Sequence, residues 1–178
     1  GSMTVMCSDK TGTITQGKVK LDGALDCNGN KSDNIYRLAA INSYFQEGYA
    51  NPIDSAILDT RTDDFSNYEK LSEIPYSFET KLLTDRNSSV RNIMVTKGAL
   101  TNVLDVCKTY ENSDNSVGNI EDVKSQILDM FDKYSSQGYR VLGVAYKLIE
   151  DDADVKIQKA EDMIFAGLLL FIDPLKDD

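Results

Sequence analysis

Apolar and polar positions follow two different periods along this chain, and the changes of period mark its elements. Residues 18–27 alternate, as a strand or a β-hairpin would, with Asp22-Gly23 as a candidate turn. From Ser32 the spacing lengthens. Ile35, Leu38, Ala39, Asn42 and Phe45 recur at helical intervals, Ser32 or Asp33 can cap the start, and Gly48 stops the run. Pro52 suits the first turn of a second helix that carries Ile53, Ala56 and Ile57 on one side, so a short antiparallel helix pair is expected. Strand patterns return between residues 71 and 96: Ile74-Pro75-Tyr76-Ser77-Phe78, then Lys81-Leu82-Leu83-Thr84, then residues 90–95 after the polar turn Asp85-Arg86-Asn87-Ser88. Residues 100–107 read as a short helix, and residues 110–119, rich in Asn, Ser and Asp, as an exposed loop.

The clearest helix covers residues 120–137. Asn119 can cap it, Glu121 and Asp122 suit its positive end, Val123, Ile127, Met130, Phe131 and Tyr134 form one stripe, and Gly138 fits a left-handed stop. Residues 139–146 and 163–172 are apolar runs that read as buried strands, joined by a polar segment, 150–162, that can be helical. The expected fold is α/β (α+β): an antiparallel β-sheet flanked by helical hairpins, with no internal repeat.

Composition narrows what such a fold can do. The chain has 178 residues, enough for a sizeable core in one domain, and a net charge of -10 that leaves no basic excess for nucleic acid. It has no histidine, which excludes histidine catalysis and histidine metal sites. Cys7, Cys27 and Cys107 lack metal-ligand spacing and fit a reducing, cytosolic setting. The longest apolar run, residues 163–172, is about half of the ~20 residues that span a bilayer, so the piece is expected to be soluble and not membrane-embedded. Gly1 and Ser2 before Met3 read as a tag remnant, and the abrupt Asp173-Pro174-Leu175-Lys176-Asp177-Asp178 end reads as a cut, so an excised segment of a longer protein is expected.

The richest chemistry lies in Cys7-Ser8-Asp9-Lys10-Thr11-Gly12-Thr13-Ile14-Thr15. The apolar Val5-Met6-Cys7 reads as the end of a strand that delivers Asp9 into a loop, where its carboxylate can attack a γ-phosphoryl group and form an aspartyl-phosphate. Lys10 can offset charge, Gly12 lets the backbone approach a phosphate, and the hydroxyls of Thr11 and Thr13 can hydrogen-bond its oxygens. The unbroken D-K-T-G-T-[aliphatic]-T pattern from Asp9 to Thr15 resembles the phosphorylation motif of the P-type ATPases. Related soluble phosphatases of the haloacid dehalogenase class carry a second Asp two residues after the nucleophile; Thr11 stands there, which favours a long-lived phosphoenzyme.

Further segments resemble the same family in its own order. Lys97-Gly98-Ala99, just after a predicted strand, resembles the K-G-A motif of the family's nucleotide pocket; a lysine there can reach a ligand across the sheet, and the glycine leaves room for adenine or ribose. Phe78-Glu79 resembles the site whose ring stacks on adenine, and Lys81 stands where basic residues meet phosphates. Asp54 resembles the acidic residue that contacts the adenine amino group, here Asp for the usual Glu; its plain alternative is a helix-start carboxylate favoured by the dipole. Arg140 matches an arginine that approaches the phosphates, and Asp173-Pro174-Leu175-Lys176 resembles the hinge back to the phosphorylation domain.

The resemblance implies residues 1–3 as a start remnant, 4–17 as phosphorylation (P) domain, 18–171 as nucleotide-binding (N) domain and 172–178 as hinge and returning P domain. It implies ATP and Mg2+ as cofactors, with Asp9 and Thr11 sharing the metal with residues beyond this chain, and partners in the P, A and transmembrane domains of one pump. The parent would be a plasma (inner) membrane ATPase with this part in the cytoplasm, and the fragment alone would bind ATP without full turnover. The stretches Ile41-Asn42-Ser43-Tyr44-Phe45-Gln46-Glu47-Gly48, Asn51-Pro52-Ile53-Asp54 and residues 165–174 look most like bacterial magnesium-transporting members. Two alternatives stay open: a soluble haloacid-dehalogenase-like phosphohydrolase using Asp9, and a nucleotide-independent interaction module.

Overall fold

The computed structural model describes residues 18–46, 51–60, 63–75, 78–85, 92–149 and 160–173, with the side chains of residues 74–75 and 78–85 outside that description. It is a mixed α/β fold: β1 (Lys20–Leu25), α1 (Asp33–Tyr44), α2 (Pro52–Leu58), β2 (Tyr68–Pro75), β3 (Phe78–Asp85), β4 (Asn92–Ala99), α3 (Leu100–Asp105), β5 (Cys107–Glu111), β6 (Val117–Asn119), α4 (Lys124–Ser136), β7 (Arg140–Ile149) and β8 (Met163–Ile172). The eight strands form one sheet in the order β2-β3-β4-β7-β8-β5-β6, with β1 also paired to β8. Every pairing is antiparallel except β5 with β8.

Strand β8 holds the sheet together because three strands use it. Strand β7 pairs along most of its length, while β5 takes its first residues and β1 its last. Both of its faces are covered, which explains an unbroken apolar run in place of alternation. Met163, Phe165, Leu168 and Leu170 join the core beneath α3 and α4; Ala166, Leu169 and Phe171 join the core beneath α1 and α2. The face assignment shifts between Phe165 and Leu168, where the β7–β8 ladder carries an irregularity between Val144 and Ala145. Gly167 sits there because a Cβ would strike the Leu25 carbonyl of β1.

Helix α1 is buried along nearly its whole length, and Ala39 and Ala40 let it lie close on the sheet. Asn51 caps α2 by accepting a hydrogen bond from the Ile53 amide, and the Tyr36 hydroxyl ties α1 to the Ile57 carbonyl at 3.1 Å. On the other face α4 buries Ile127 fully and lays Met130, Phe131 and Tyr134 against the core, as the stripe predicts. Gly138 closes it with φ +90.

Four expectations need correction in detail. Asp22-Gly23 is not a hairpin turn but a bulge inside one strand, since Leu21 pairs with Phe171 and Gly23 with Leu170. Residues 110–119 are not a loop: β5 and β6 form a hairpin around Asn112–Ser116, with the Asn112 amide donating to the Ser116 carbonyl. Strand β2 begins at Tyr68, earlier than its polar residues suggest, and Phe78 opens β3 instead of ending β2. A 3-10 turn at Ile120–Asp122, capped by Asn119, precedes the α-helical run. Most of the polar segment 150–162 lies outside the described residues.

Candidate functional site

Three strand ends meet at one corner of the sheet. Phe78 pairs with Gly98 and Gly98 with Gly143, so the start of β3, the end of β4 and the early part of β7 lie in one row. The next row holds Glu79, Lys97 and Val144. Arg140 opens β7 at the same end of the sheet, exposed, with Phe171 as its register partner on β8. Register thus puts the sequence-predicted Phe78 and Gly98 in one row and Lys97 in the next, on the opposite face of the pleat, with Arg140 at the same end of the sheet. Lys81 lies farther along β3, opposite Val95. For Phe78 and Lys81 the backbone position is what the structure describes.

The pleat decides where Lys97 goes. Val95 packs in the α1/α2 core, and Lys97, two residues later, falls on the same face. Its side chain is buried, at 3% exposure, and Nζ lies 2.7 Å from Oδ1 of Asp54, whose side chain is 6% exposed. Asp54 is placed by the first turn of α2, where Asn51 and Pro52 set the helix start. The contact is an ion pair; neither carboxylate oxygen of Asp54 has hydrogen-bond geometry to any partner, although both are buried. Lys97 Nζ also donates to Oδ1 of Asn42 at 2.7 Å, and Asn42 Nδ2 donates to the Val95 carbonyl at 2.8 Å.

An ammonium taken out of water needs such partners, because burial of an unpaired charge is far costlier than burial of a paired one. Lys97 is thus not the solvated turn lysine that a strand-to-helix junction ordinarily carries. Sequence reasoning singled out Lys97 and Asp54 but treated Asn42 as one position in a helical stripe. The available signal was a polar amide on an otherwise apolar helix face, since buried polar groups are hydrogen-bonded to something.

Other candidate chemistry falls away or lies elsewhere. Asp9, Lys10, Thr11, Thr13 and Pro174 lie outside the described residues; Asp173 directly follows β8, half-buried. Among the described residues no group of three or more Cys, Asp or Glu could hold a metal. Cys27 and Cys107 are buried free thiols, and burial pushes Cys107 up to about 12, so neither offers a thiolate at neutral pH. A cavity of about 590 Å³ between β1 and α2 and one of about 330 Å³ beside Asp26 and Glu111 both lie apart from Lys97, Gly98 and Arg140. No helix among the described residues is long and apolar enough to cross a membrane.

Comparison with known proteins bears on the chain as a whole. The sequence profile described as "P-type ATPase, cytoplasmic domain N" matches residues 6–178. The "Magnesium-transporting ATPase, P-type 1" of Escherichia coli (strain K12) is 31% identical over 99% of this chain and 21% of its own length. Its namesake in Salmonella typhimurium (strain LT2) is 31% identical over 99% of this chain and 20% of its own length. A Leishmania donovani ATPase named for protons is 28% identical over 99% of this chain and 17% of its own. The chain thus spans about a fifth of the length of these relatives.

Proposed function

The chain belongs to the P-type ATPase family as its cytoplasmic domain N, and from that premise we propose that it binds ATP at the Lys97 corner and presents the γ-phosphate to Asp9. The observation that carries this reading is the buried Lys97–Asp54 pair set beside the Phe78, Gly98 and Arg140 strand ends. In this reading residues 18–171 form the nucleotide-binding unit, while residues 4–17 and 172–178 belong to the phosphorylation domain, with Asp173 and Pro174 as the hinge.

Each residue then has a task that its surroundings suit. Phe78 stacks on adenine, and Gly98, without a side chain, lets the base or ribose approach the backbone. Asp54 and Lys97 supply the polar groups on the α1/α2 face of the same strand end. Arg140, exposed at the strand end, meets phosphate oxygens with its planar guanidinium, and Lys81 adds positive charge along β3. Asp9 accepts the phosphoryl group as a nucleophile, forming an acyl phosphate as the bond to ADP breaks; Lys10, Thr11 and Thr13 steady the phosphate oxygens.

Mg2+ fits this scheme at Asp9 and Thr11 together with the phosphates, where it would neutralise charge on the transferred group. At the described corner the Asp54 carboxylate is already paired with Lys97, and no group of three metal-ligating residues occurs among the described residues, so this reading puts the metal at Asp9 and Thr11. Magnesium as the transported ion is supported by the names of the 31% identical relatives. The longer protein would then be an inner-membrane pump that hydrolyses ATP, with this domain on its cytoplasmic side.

Titration of the chain with ATP, followed by backbone amide signals, tests the binding reading. Saturable shifts clustered at Phe78, Lys97 and Arg140 are expected. The absence of any saturable change at millimolar ATP would instead favour an interaction module without a nucleotide. Hydrolysis of small phosphate esters that Asp9→Asn abolishes would favour a soluble phosphohydrolase.

A further inference from the structure

We propose that Asn42 is a positioning residue for Lys97, holding the ammonium in the one place where it can serve the nucleotide corner. The inference rests on the nucleotide-binding reading above and extends it to a residue that helix periodicity had absorbed into the core. Asn42 is fully buried in α1, on a face otherwise built from Ile35, Leu38, Ala39 and Ile41. An amide in that setting loses its water on both ends and is tolerated only where both ends find partners.

The network fixes how the amide lies. Nδ2 must face the Val95 carbonyl, an acceptor, at 2.8 Å, and Oδ1 must face the Lys97 ammonium, a donor, at 2.7 Å. Val95 precedes Lys97 by two residues on the same face of β4. The amide therefore bridges the main chain of the strand and the tip of a side chain from that same strand. A lysine stem has four rotatable carbons, and one ion pair alone fixes its end poorly. Asp54 approaches Nζ from α2 and Asn42 from α1, so two helices define the ammonium position.

The neutrality of Asn42 matters as much as its geometry. A second carboxylate beside Nζ would leave the cluster with a net negative charge, unfavourable for a polyphosphate ligand nearby. An amide oxygen supplies an acceptor without altering the charge. Asn42 thus sets where Lys97 points while leaving its charge balance to Asp54.

A double-mutant cycle tests the inference on the full chain. Asn42→Ala, Lys97→Gln and the double variant are titrated with MgATP by amide signals, with thermal melts recorded for each. Gln at position 97 keeps a donor for Asp54, so the carboxylate is not abandoned. Asn42→Ala is expected to raise Kd about tenfold in the wild-type background, the scale of one charged hydrogen bond. In the Lys97→Gln background the same change is expected to raise it less than about twofold. Equal losses in both backgrounds, or no loss in the wild type, would overturn the positioning role. If Asn42→Ala does not fold, Asn42→Gln retains the amide but shifts its oxygen by one methylene and must show the same dependence on Lys97. Wild-type protein with no saturable binding would overturn the nucleotide reading itself; wild-type binding that is insensitive to Asn42 overturns this inference alone.

Discussion

Two buried aspartates of this fold, Asp26 and Asp54, are held in different ways. Asp26, in the turn after β1, accepts hydrogen bonds from the Asn28 and Asn30 amides at 2.9 Å, from the Asn30 side chain at 3.4 Å and from the Ser113 hydroxyl at 2.7 Å. Those donors outweigh the effect of burial, which alone would raise its pKa, and hold the carboxyl below its ordinary value of 3.8. Asp54 has a lysine at 2.7 Å and no hydrogen bond on either oxygen. The first carboxylate is saturated by its own turn and by the β5–β6 hairpin, so it locks two connections together and has nothing left to offer. The second is buried beside one cation, the Lys97 ammonium. One carboxylate is thus held by donors of its own turn and of a hairpin, the other by a charge from a neighbouring strand.

The largest expected effect tests the dependence of Asp54 on its lysine. Lys97→Met strands a buried carboxylate and should cost about 3–5 kcal/mol in urea unfolding, while the Asp54→Asn/Lys97→Met pair should recover most of that loss. A single-variant cost under about 1 kcal/mol would show that Asp54 does not rely on Lys97, and the contrast with Asp26 would collapse. Asp26→Ala comes next: removing charge-assisted hydrogen bonds should cost about 2 kcal/mol yet leave ATP affinity unchanged, measured by melts and titration in parallel. A change in ATP affinity without loss of stability would reverse the two roles.

Phe78→Ala should weaken ATP binding by about 1–3 kcal/mol if the ring stacks on the base, and equal affinity would remove it from the site. The smallest effect is in pH. Because the folded pKa of Asp26 is depressed, its stabilising contribution is present above the ordinary 3.8 and disappears as pH falls through the lower folded value. Wild-type melting curves should therefore lose stability below pH 3.8 more steeply than those of Asp26→Asn. Parallel curves would show that the turn does not hold this carboxyl below its ordinary range.

Much of this architecture was legible where one period dominates. The stripe of Ile127, Met130, Phe131 and Tyr134 located α4, and the apolar run at residues 163–172 matched β8 residue for residue. Legibility failed where backbone chemistry outweighed pattern. The β5–β6 hairpin is polar because its turn is built from side chains that bond to it: the Asp114 carboxylate accepts from the Ser116 amide and hydroxyl, and Asn115 takes a φ of 63. Such residues look like loop in a sequence. The Asp22-Gly23 pair reads as a turn and is a bulge, since one glycine serves either purpose. At the candidate site, motif order pointed to Lys97 and Asp54, but their mutual contact depends on which face of β4 meets α2. That is a fact of register, and Asn42 remained hidden for the same reason.

The three-way use of β8 also bears on how the chain is made. β7 lacks its inner partner and β1 any partner in the sheet until residues 163–172 exist, and Lys20 waits for Ile172, across most of the sequence. Synthesis from the N-terminus thus leaves β1 and the inner edge of β7 unpaired until β8 emerges. Closure of the sheet is therefore a late event of high contact order, and a ribosome stalled before Phe171 would hold exposed strand edges in need of a chaperone.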